Sequence, residues 1–183
     1  MEQKVKAEIL NSEDIQRIIT RLAHEIVEKN RGTENLVLVG IHTRGAYLAT
    51  RISKKIEEIE GGQIPTGFLD ITLYRDDFRT RLKQPSVEVT NIPFQIDEKV
   101  IVLVDDVLYT GRTVRAALDA LMDFGRPVRI LLCVLIDRGH RELPIRPDFV
   151  GKNIPTSIGE EVKLLLQEVD KEDKVLLVES PSQ

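Results

Sequence analysis

The stretch VIVLVDDVLYTGRT, residues 100–113, concentrates the chemistry of this chain. An apolar run ends in two adjacent carboxylates, Asp105 and Asp106, and Gly111 follows among hydroxyl-bearing neighbours. Gly111 permits a tight turn, so backbone N–H groups at the start of a helix beginning near Arg112 can converge on one anion, above all a phosphate. Tyr109, Thr110 and Thr113 add hydroxyl donors. Ionised carboxylates only accept hydrogen bonds, so Asp105 and Asp106 do not suit the phosphate itself. They suit vicinal hydroxyls such as those of a ribose, or a metal. A turn cap would explain one acid. Two acids beside a glycine-centred hydroxyl loop describe a 5-phosphoribosyl group. The string is neither a Walker A loop nor a dinucleotide fingerprint, since G-x-x-x-x-G-K-[ST] and G-x-G-x-x-G do not occur.

The surrounding elements must present that loop. Ser12, with Glu13 and Asp14 behind it, is expected to start a helix whose apolar residues Ile15, Ile18, Ile19, Leu22, Ala23, Ile26 and Val27 recur at helical spacing until Gly32. Further helices are expected over 46–59 and 114–124, the latter closed by Gly125. Buried strands are expected over 36–41, 100–104 and 128–136, a strand of alternating character over 68–74, and short strands over 149–150, 162–166 and 175–178. Alternating apolar strands and helices predict an α/β fold, a mainly parallel sheet flanked by helices. Ligands in such sheets sit beyond the carboxyl ends of the strands. Three polar clusters fall there: Thr43-Arg44-Gly45, Asp105 to Thr113, and Asp137-Arg138. Residues 75–97 carry two prolines and weak periodicity, which fits a functional flap or a plain excursion.

Bulk properties narrow the function classes. The 183 residues, 42% of them hydrophobic, predict a single domain over 1–183. No apolar run approaches the ~20 residues of a membrane helix, and the charged N-terminal residues lack the apolar core of a secretory signal. The lone Cys133 cannot form an internal disulfide or a metal cluster, and reducing cytoplasm is the expected compartment. A formal charge of -4 excludes blanket attraction to nucleic acid, so such binding needs a local basic face.

The opening stretch resembles the 5-phosphoribosyl-1-pyrophosphate (PRPP) signature of type I phosphoribosyltransferases, an apolar run, two acids and T-G-x-T. DITLYRDD (70–77), DRGHRELPIRPDF (137–149) and VGKNIPTS (150–157) resemble the PyrR family of bifunctional pyrimidine-operon regulators with uracil phosphoribosyltransferase activity. The likeness spans nearly the whole chain. It implies a type I phosphoribosyltransferase fold with a small hood and a flexible flap over about 75–97. It implies that Asp105 and Asp106 hold the ribose hydroxyls, that Val107, Leu108, Tyr109, Thr110, Gly111, Arg112 and Thr113 form the phosphate side of the PRPP site, and that Thr43, Arg44 and Gly45 form the pyrophosphate loop. Arg44 would bind the departing pyrophosphate, and Tyr74 and Arg75 would hinge the flap. Mg²⁺ is implied, carried mainly on substrate oxygens and water rather than in a protein cage.

Purine-salvage (hypoxanthine/guanine) transferases are the alternative, and they resemble the chain over 147–155. They place a lysine where Asp137 stands and an aromatic stacker near Ile158. Both departures disfavour a purine, and Arg138 and Ile158 become the expected base contacts for uracil. The PyrR resemblance further implies binding of a pyrimidine-operon mRNA hairpin with UMP as co-repressor, and a homodimer or homotetramer. Between residues 138 and 152 four cations face two acids. The RNA candidates are Thr20, Arg21 and His24 on the first helix, with His140, Arg141, Arg146 and Lys152.

Overall fold

The computed structural model describes residues 4–74 and 89–179. In chain order the elements are β1 (Val5–Leu10), α1 (Ser12–Asn30), β2 (Leu36–Ile41), α2 (Arg44–Glu60), β3 (Thr66–Leu69), a 3-10 turn (Thr72–Tyr74), β4 (Val100–Leu108), α3 (Arg112–Met122), β5 (Arg129–Asp137), β6 (Phe149–Asn153), β7 (Glu160–Leu165), α4 (Gln167–Asp170) and β8 (Lys174–Glu179). Five strands form a parallel sheet in the order β3-β2-β4-β5-β6, and three form an antiparallel sheet in the order β1-β8-β7. Arg75 and residues 75–88 of the expected flap lie outside the described residues.

The central strands are apolar on both faces because both faces are covered. Val100, Val102 and Val104 of β4 pack in one core with α1 and α2, while Ile101 and Leu103 pack in a second core with α3. Residues of β2 and β5 alternate between the same two cores. Cys133 lies in the first core, where burial pushes its thiol up to about 12 and keeps it protonated.

Several boundaries differ from expectation for local reasons. The cap of α1 is Asn11, one residue before Ser12. Its side chain accepts from the Asp14 amide (2.9 Å) and Asp14 accepts from the Asn11 amide (3.1 Å), a reciprocal capping box. The helix ends with Arg31 in the left-handed region and bonds from Arg31 and Gly32 to Glu28 and Val27, so the stop begins before the glycine. The strand expected over 68–74 ends at Leu69, because the Asp70 carboxylate takes the Thr72 amide and hydroxyl and turns the chain into the 3-10 helix. The strand expected over 100–104 runs on to Leu108, so both acids stand in strand rather than loop, in register with β5. β1 and α4 were not expected; β1 is a charged segment whose partner β8 lies at the other end of the chain.

Two glycines bring β2, the start of α2 and β4 close together. A Cβ on Gly45 would stand 2.6 Å from the Val104 carbonyl oxygen, and one on Gly40 would stand 2.5 Å from the Ala46 Cα. The start of α2 therefore lies directly against β4. At the far side, α2 is tied to the 167–173 segment by Arg51, which bonds Glu168 through Nε (2.9 Å) and grips both oxygens of Asp173 (2.8 Å each).

Gly45→Ala is expected to overpack this junction at a cost of about 1–3 kcal/mol. The check is a lower denaturant midpoint with an unchanged slope. The Arg51 cluster makes a pH-dependent prediction. Bonds from Arg51 hold the Glu168 carboxyl below its ordinary value. Burial opposes the charge of Asp173, but bonds from Arg51 and the Gln167 amide outweigh it and hold that carboxyl down too. Depressed carboxyls stabilise the fold fully above their ordinary range and lose that contribution as pH falls through their depressed values. Arg51→Gln should therefore lower the melting temperature at neutral pH, with the gap to wild type closing as pH falls below about 4. Thermal melts across that range check it.

Candidate functional site

The carboxyl ends of β2 and β4 and the start of α2 enclose a cavity of ≈ 230 Å³. Thr43, Arg44 and Gly45 line one side, and Asp105, Asp106, Val107 and Thr113 line the other, so segments about sixty residues apart in sequence meet here as expected. Asp105 is 5% exposed and its Oδ1 accepts from the Asp106 amide (2.9 Å); Oδ1 of Asp106 accepts from the Val107 amide (2.8 Å). These local bonds each engage one oxygen of the two carboxylates and orient them at the strand end. The peptide between His42 and Thr43 is cis.

The phosphate loop follows β4. Gly111 caps α3 with φ 93, a left-handed conformation that glycine adopts without strain. The N-cap residue Gly111 brings no side chain to the start of α3 and no acid occupies its first turn, an electrostatic setting that favours an anion there. Thr110 braces the turn, its hydroxyl accepting from the Arg112 amide (3.3 Å). Arg112 itself points to Glu142 (2.7 Å). Leu108 is buried in the second core and contributes packing. The ring of Tyr109 lies under the Arg138 guanidinium, 4.0 Å from its centre.

Three polar residues that sequence reasoning did not single out, His42, Asp70 and Thr72, also line the cavity, beside Ile41 and Ile71. Asp70 Oδ2 is buried and has no hydrogen-bond partner. An acid just past the end of β3 was the available signal, hidden by the expectation that the strand continued. Three carboxylates on one small cavity are hard oxygen donors that fit a Mg²⁺ ion. Among the described residues no group of three or more His, Cys, Asp or Glu side chains is placed to hold a metal ion by itself. Arg44 bonds Asp170 of α4 (2.8 and 3.1 Å), and its Nε is buried with no partner. Asp170 is 126 residues away and gave no sequence signal.

Tyr74 is placed elsewhere. Its hydroxyl donates to Asp123 (2.7 Å), just beyond the far end of α3, and that bond pushes its pKa up. Arg75, expected beside it at the hinge, lies outside the described residues.

A second cavity of ≈ 300 Å³ lies beyond β5, lined by Asp137 to Arg141, Asn153, Pro155 and Thr156. Arg138 forms part of its wall and is 8% exposed. Its Nε donates to the Thr156 hydroxyl (3.3 Å) and Nη2 to the Glu160 carbonyl (2.6 Å). It therefore stands as a braced pillar of the wall. Ile158, expected at the base, is 99% exposed on the turn before β7 and is not part of this lining. His140 is held across the cavity, Nε2 against the Thr156 carbonyl (2.6 Å) and its ring edge-on to Tyr109. Since a carbonyl only accepts, Nε2 carries the proton.

The basic candidates divide into two groups. Arg21 of α1 donates to the Val150 and Gly151 carbonyls of β6, which sets Thr20, Arg21 and His24 beside the strand bearing Lys152. Thr20 is half-buried with its hydroxyl on the Gln16 carbonyl (3.0 Å), while His24, Arg146 and Lys152 are exposed. Arg141 is instead folded into the second cavity, and His140 lines it.

Comparison with known proteins accords with this geometry. The family model described as phosphoribosyl transferase domain matches residues 6–168. The chain is 61% identical over 175 residues to the bifunctional protein PyrR of Pelotomaculum thermopropionicum, covering 96% of this chain and 97% of that one. It is 62% identical over 176 residues to the bifunctional protein PyrR of Thermus thermophilus, with the same coverage. Among solved structures, a hypoxanthine phosphoribosyltransferase of Staphylococcus aureus superposes with a TM-score of 0.71 at 21% identity, covering 96% of this chain and 92% of that one, which shows the shared fold. The cradle, the paired acids and full-length identity near 60% together place this chain in the PyrR family of type I phosphoribosyltransferases.

Proposed function

We propose that this chain transfers the 5-phosphoribosyl group of PRPP to uracil, giving UMP and pyrophosphate, and that with UMP bound it engages an mRNA hairpin to regulate pyrimidine-operon transcription by attenuation. The observation that carries the reading is the single cavity lined by the Thr43-Arg44-Gly45 loop, Asp105, Asp106 and Thr113, next to a helix start without an acid in its first turn. A nucleotide sensor has no use for a pyrophosphate subsite, so catalysis is part of the role. Backbone amides at 110–113 hold the 5-phosphate, Asp105 and Asp106 accept from the ribose hydroxyls, and the 43–45 loop takes the departing anion. Mg²⁺, when bound, neutralises pyrophosphate charge. The bond from C1′ to the pyrophosphate oxygen breaks as a uracil nitrogen bonds to C1′, through an oxocarbenium-like state. The protein supplies position and a low-water setting rather than a strong acid.

The base sits in the cavity beyond β5. Asp137 there is occupied by the Gly139 amide (3.0 Å) and Arg141 (2.6 Å), so it offers no donor to a purine carbonyl. Thr20, Arg21, His24 and Lys152 form the RNA-facing group, with Arg146 exposed nearby in sequence. Function as a single domain, assembly into a homodimer or homotetramer and a cytoplasmic setting complete the reading; among the described residues no helix is long and apolar enough to cross a membrane.

The test is pyrophosphate release from PRPP and Mg²⁺ with uracil, hypoxanthine and guanine in parallel. Turnover with uracil alone is expected, and turnover with a purine would move the chain to the purine-salvage class. Asp106→Asn should remove a charged acceptor worth about 1.5–3 kcal/mol. It should cut kcat/KM roughly ten- to a hundredfold with an unchanged melting temperature.

A further inference from the structure

Arg141 belongs by sequence to the basic residues expected on an RNA surface, yet all three of its guanidinium nitrogens are engaged inside the fold. Nε donates to the Ile145 carbonyl (2.9 Å), Nη1 to the Tyr109 carbonyl (2.8 Å) and Nη2 to the Asp137 carboxylate (2.6 Å). The three acceptors belong to three different places: the segment after β5, the phosphate loop, and the carboxyl end of β5 at the base cavity. We propose that Arg141 is a positioning residue of the nucleotide pocket, fixing the phosphate loop against the base cavity, and that it makes RNA affinity respond to UMP without touching RNA. The inference deepens the functional reading above and rests on it.

Its neighbours point the same way. The Arg138 amide donates to the Leu108 carbonyl (3.1 Å), and the Glu142 and Leu143 amides donate to the Thr110 carbonyl (2.9 and 3.1 Å). With Arg141 on Tyr109, three successive carbonyls behind the phosphate loop are held by one segment. Gly111 adds contact without room to spare: a Cβ there would lie 3.2 Å from Ile145. A phosphate drawn to the front of the loop therefore acts on the segment that carries Arg146 to the surface. A planar fork with three fixed directions suits this task, and a lysine ammonium cannot reproduce it. Linkage then requires that UMP and RNA strengthen each other's binding through the same segment.

The experiment compares wild type, Arg141→Lys and Arg141→Gln. It measures KM for PRPP and kcat in uracil-dependent pyrophosphate release. It also measures affinity for a transcript of the pyrimidine-operon leader, with and without UMP, over a series of salt concentrations. Both variants should raise KM for PRPP about tenfold, as loss of a charge-assisted bond predicts. The gain in RNA affinity on adding UMP should shrink toward none, while the salt dependence stays that of wild type. Arg141→Lys keeps the charge, so wild-type behaviour in that variant would overturn the proposal. So would an unchanged KM in Arg141→Gln combined with a salt slope lower by about one, the mark of a lost phosphate contact. If Arg141→Gln does not fold, Arg141→Lys decides alone. If wild type itself turns over no uracil, the functional reading fails, and calorimetric UMP affinity still decides on Arg141: about a tenfold loss in Arg141→Lys upholds its role, equal affinity removes it.

Discussion

A loop that aims successive N–H groups at an anion turns its carbonyls the other way, and those carbonyls must be satisfied or the loop will not hold its shape. Here the partners come from a segment thirty residues later in the chain, through the amides of Arg138, Glu142 and Leu143 and the side chain of Arg141. The remainder of the site follows from that backing. β4 and β5 must lie side by side to bring the two segments together, and their register from Val100 with Arg129 to Leu108 with Asp137 does so. The second cavity is then the space left between the backing segment and the 153–156 stretch.

Charge is handled differently in the two halves of the pocket. Around the first cavity carboxylates dominate, and one oxygen of Asp70 is left bare. That arrangement is costly for an empty pocket and favourable for one that receives cations and hydroxyl groups. Around the second, arginines are satisfied mainly by carbonyls, a hydroxyl and an aromatic face rather than by free acids. Arg138 is nearly buried, and each of its partners there is a hydrogen-bond acceptor or a π face. The α4 segment is tied to α2 twice: Asp170 holds Arg44 at the start of that helix, and Glu168 holds Arg51 about two turns further along the same face.

What the sequence discloses is what is local in it. The cradle is built from contiguous residues, so Gly111, the acids and the hydroxyls could be read directly, as could the parallel sheet from its apolar runs. The junction of Thr43 to Gly45 with Asp105 was legible only through the rule about strand ends. Other features depend on distant partners and left no local trace. Ladder pairing to β5 overrides the weak strand preference of Asp105 and Asp106 and carries β4 to Leu108. Tyr74 looked like a hinge residue facing the site, but Asp123 offers its hydroxyl an acceptor in another direction. Arg141 read as a surface cation because a sequence shows charges and hides the carbonyls that attract them. Ile158 was assigned by its offset in a resemblance, whereas the turn that carries it points into solvent.

The bonds from Arg21 to Val150 and Gly151 bear on how copies of this protein can meet. β6 is an edge strand of the five-stranded sheet, and an open row of carbonyls there would invite a strand from another molecule. The guanidinium bonds the successive Val150 and Gly151 carbonyls, and in a strand only one of such a pair faces the open side. At the opposite edge, Asn91 exchanges both backbone bonds with Phe68 of β3 (2.8 Å each). Both margins of the central sheet thus carry contacts from the protein's own residues. A strand added at either margin would first have to displace contacts the chain makes with itself, so self-association by sheet extension carries a cost that a packed helical or loop surface does not.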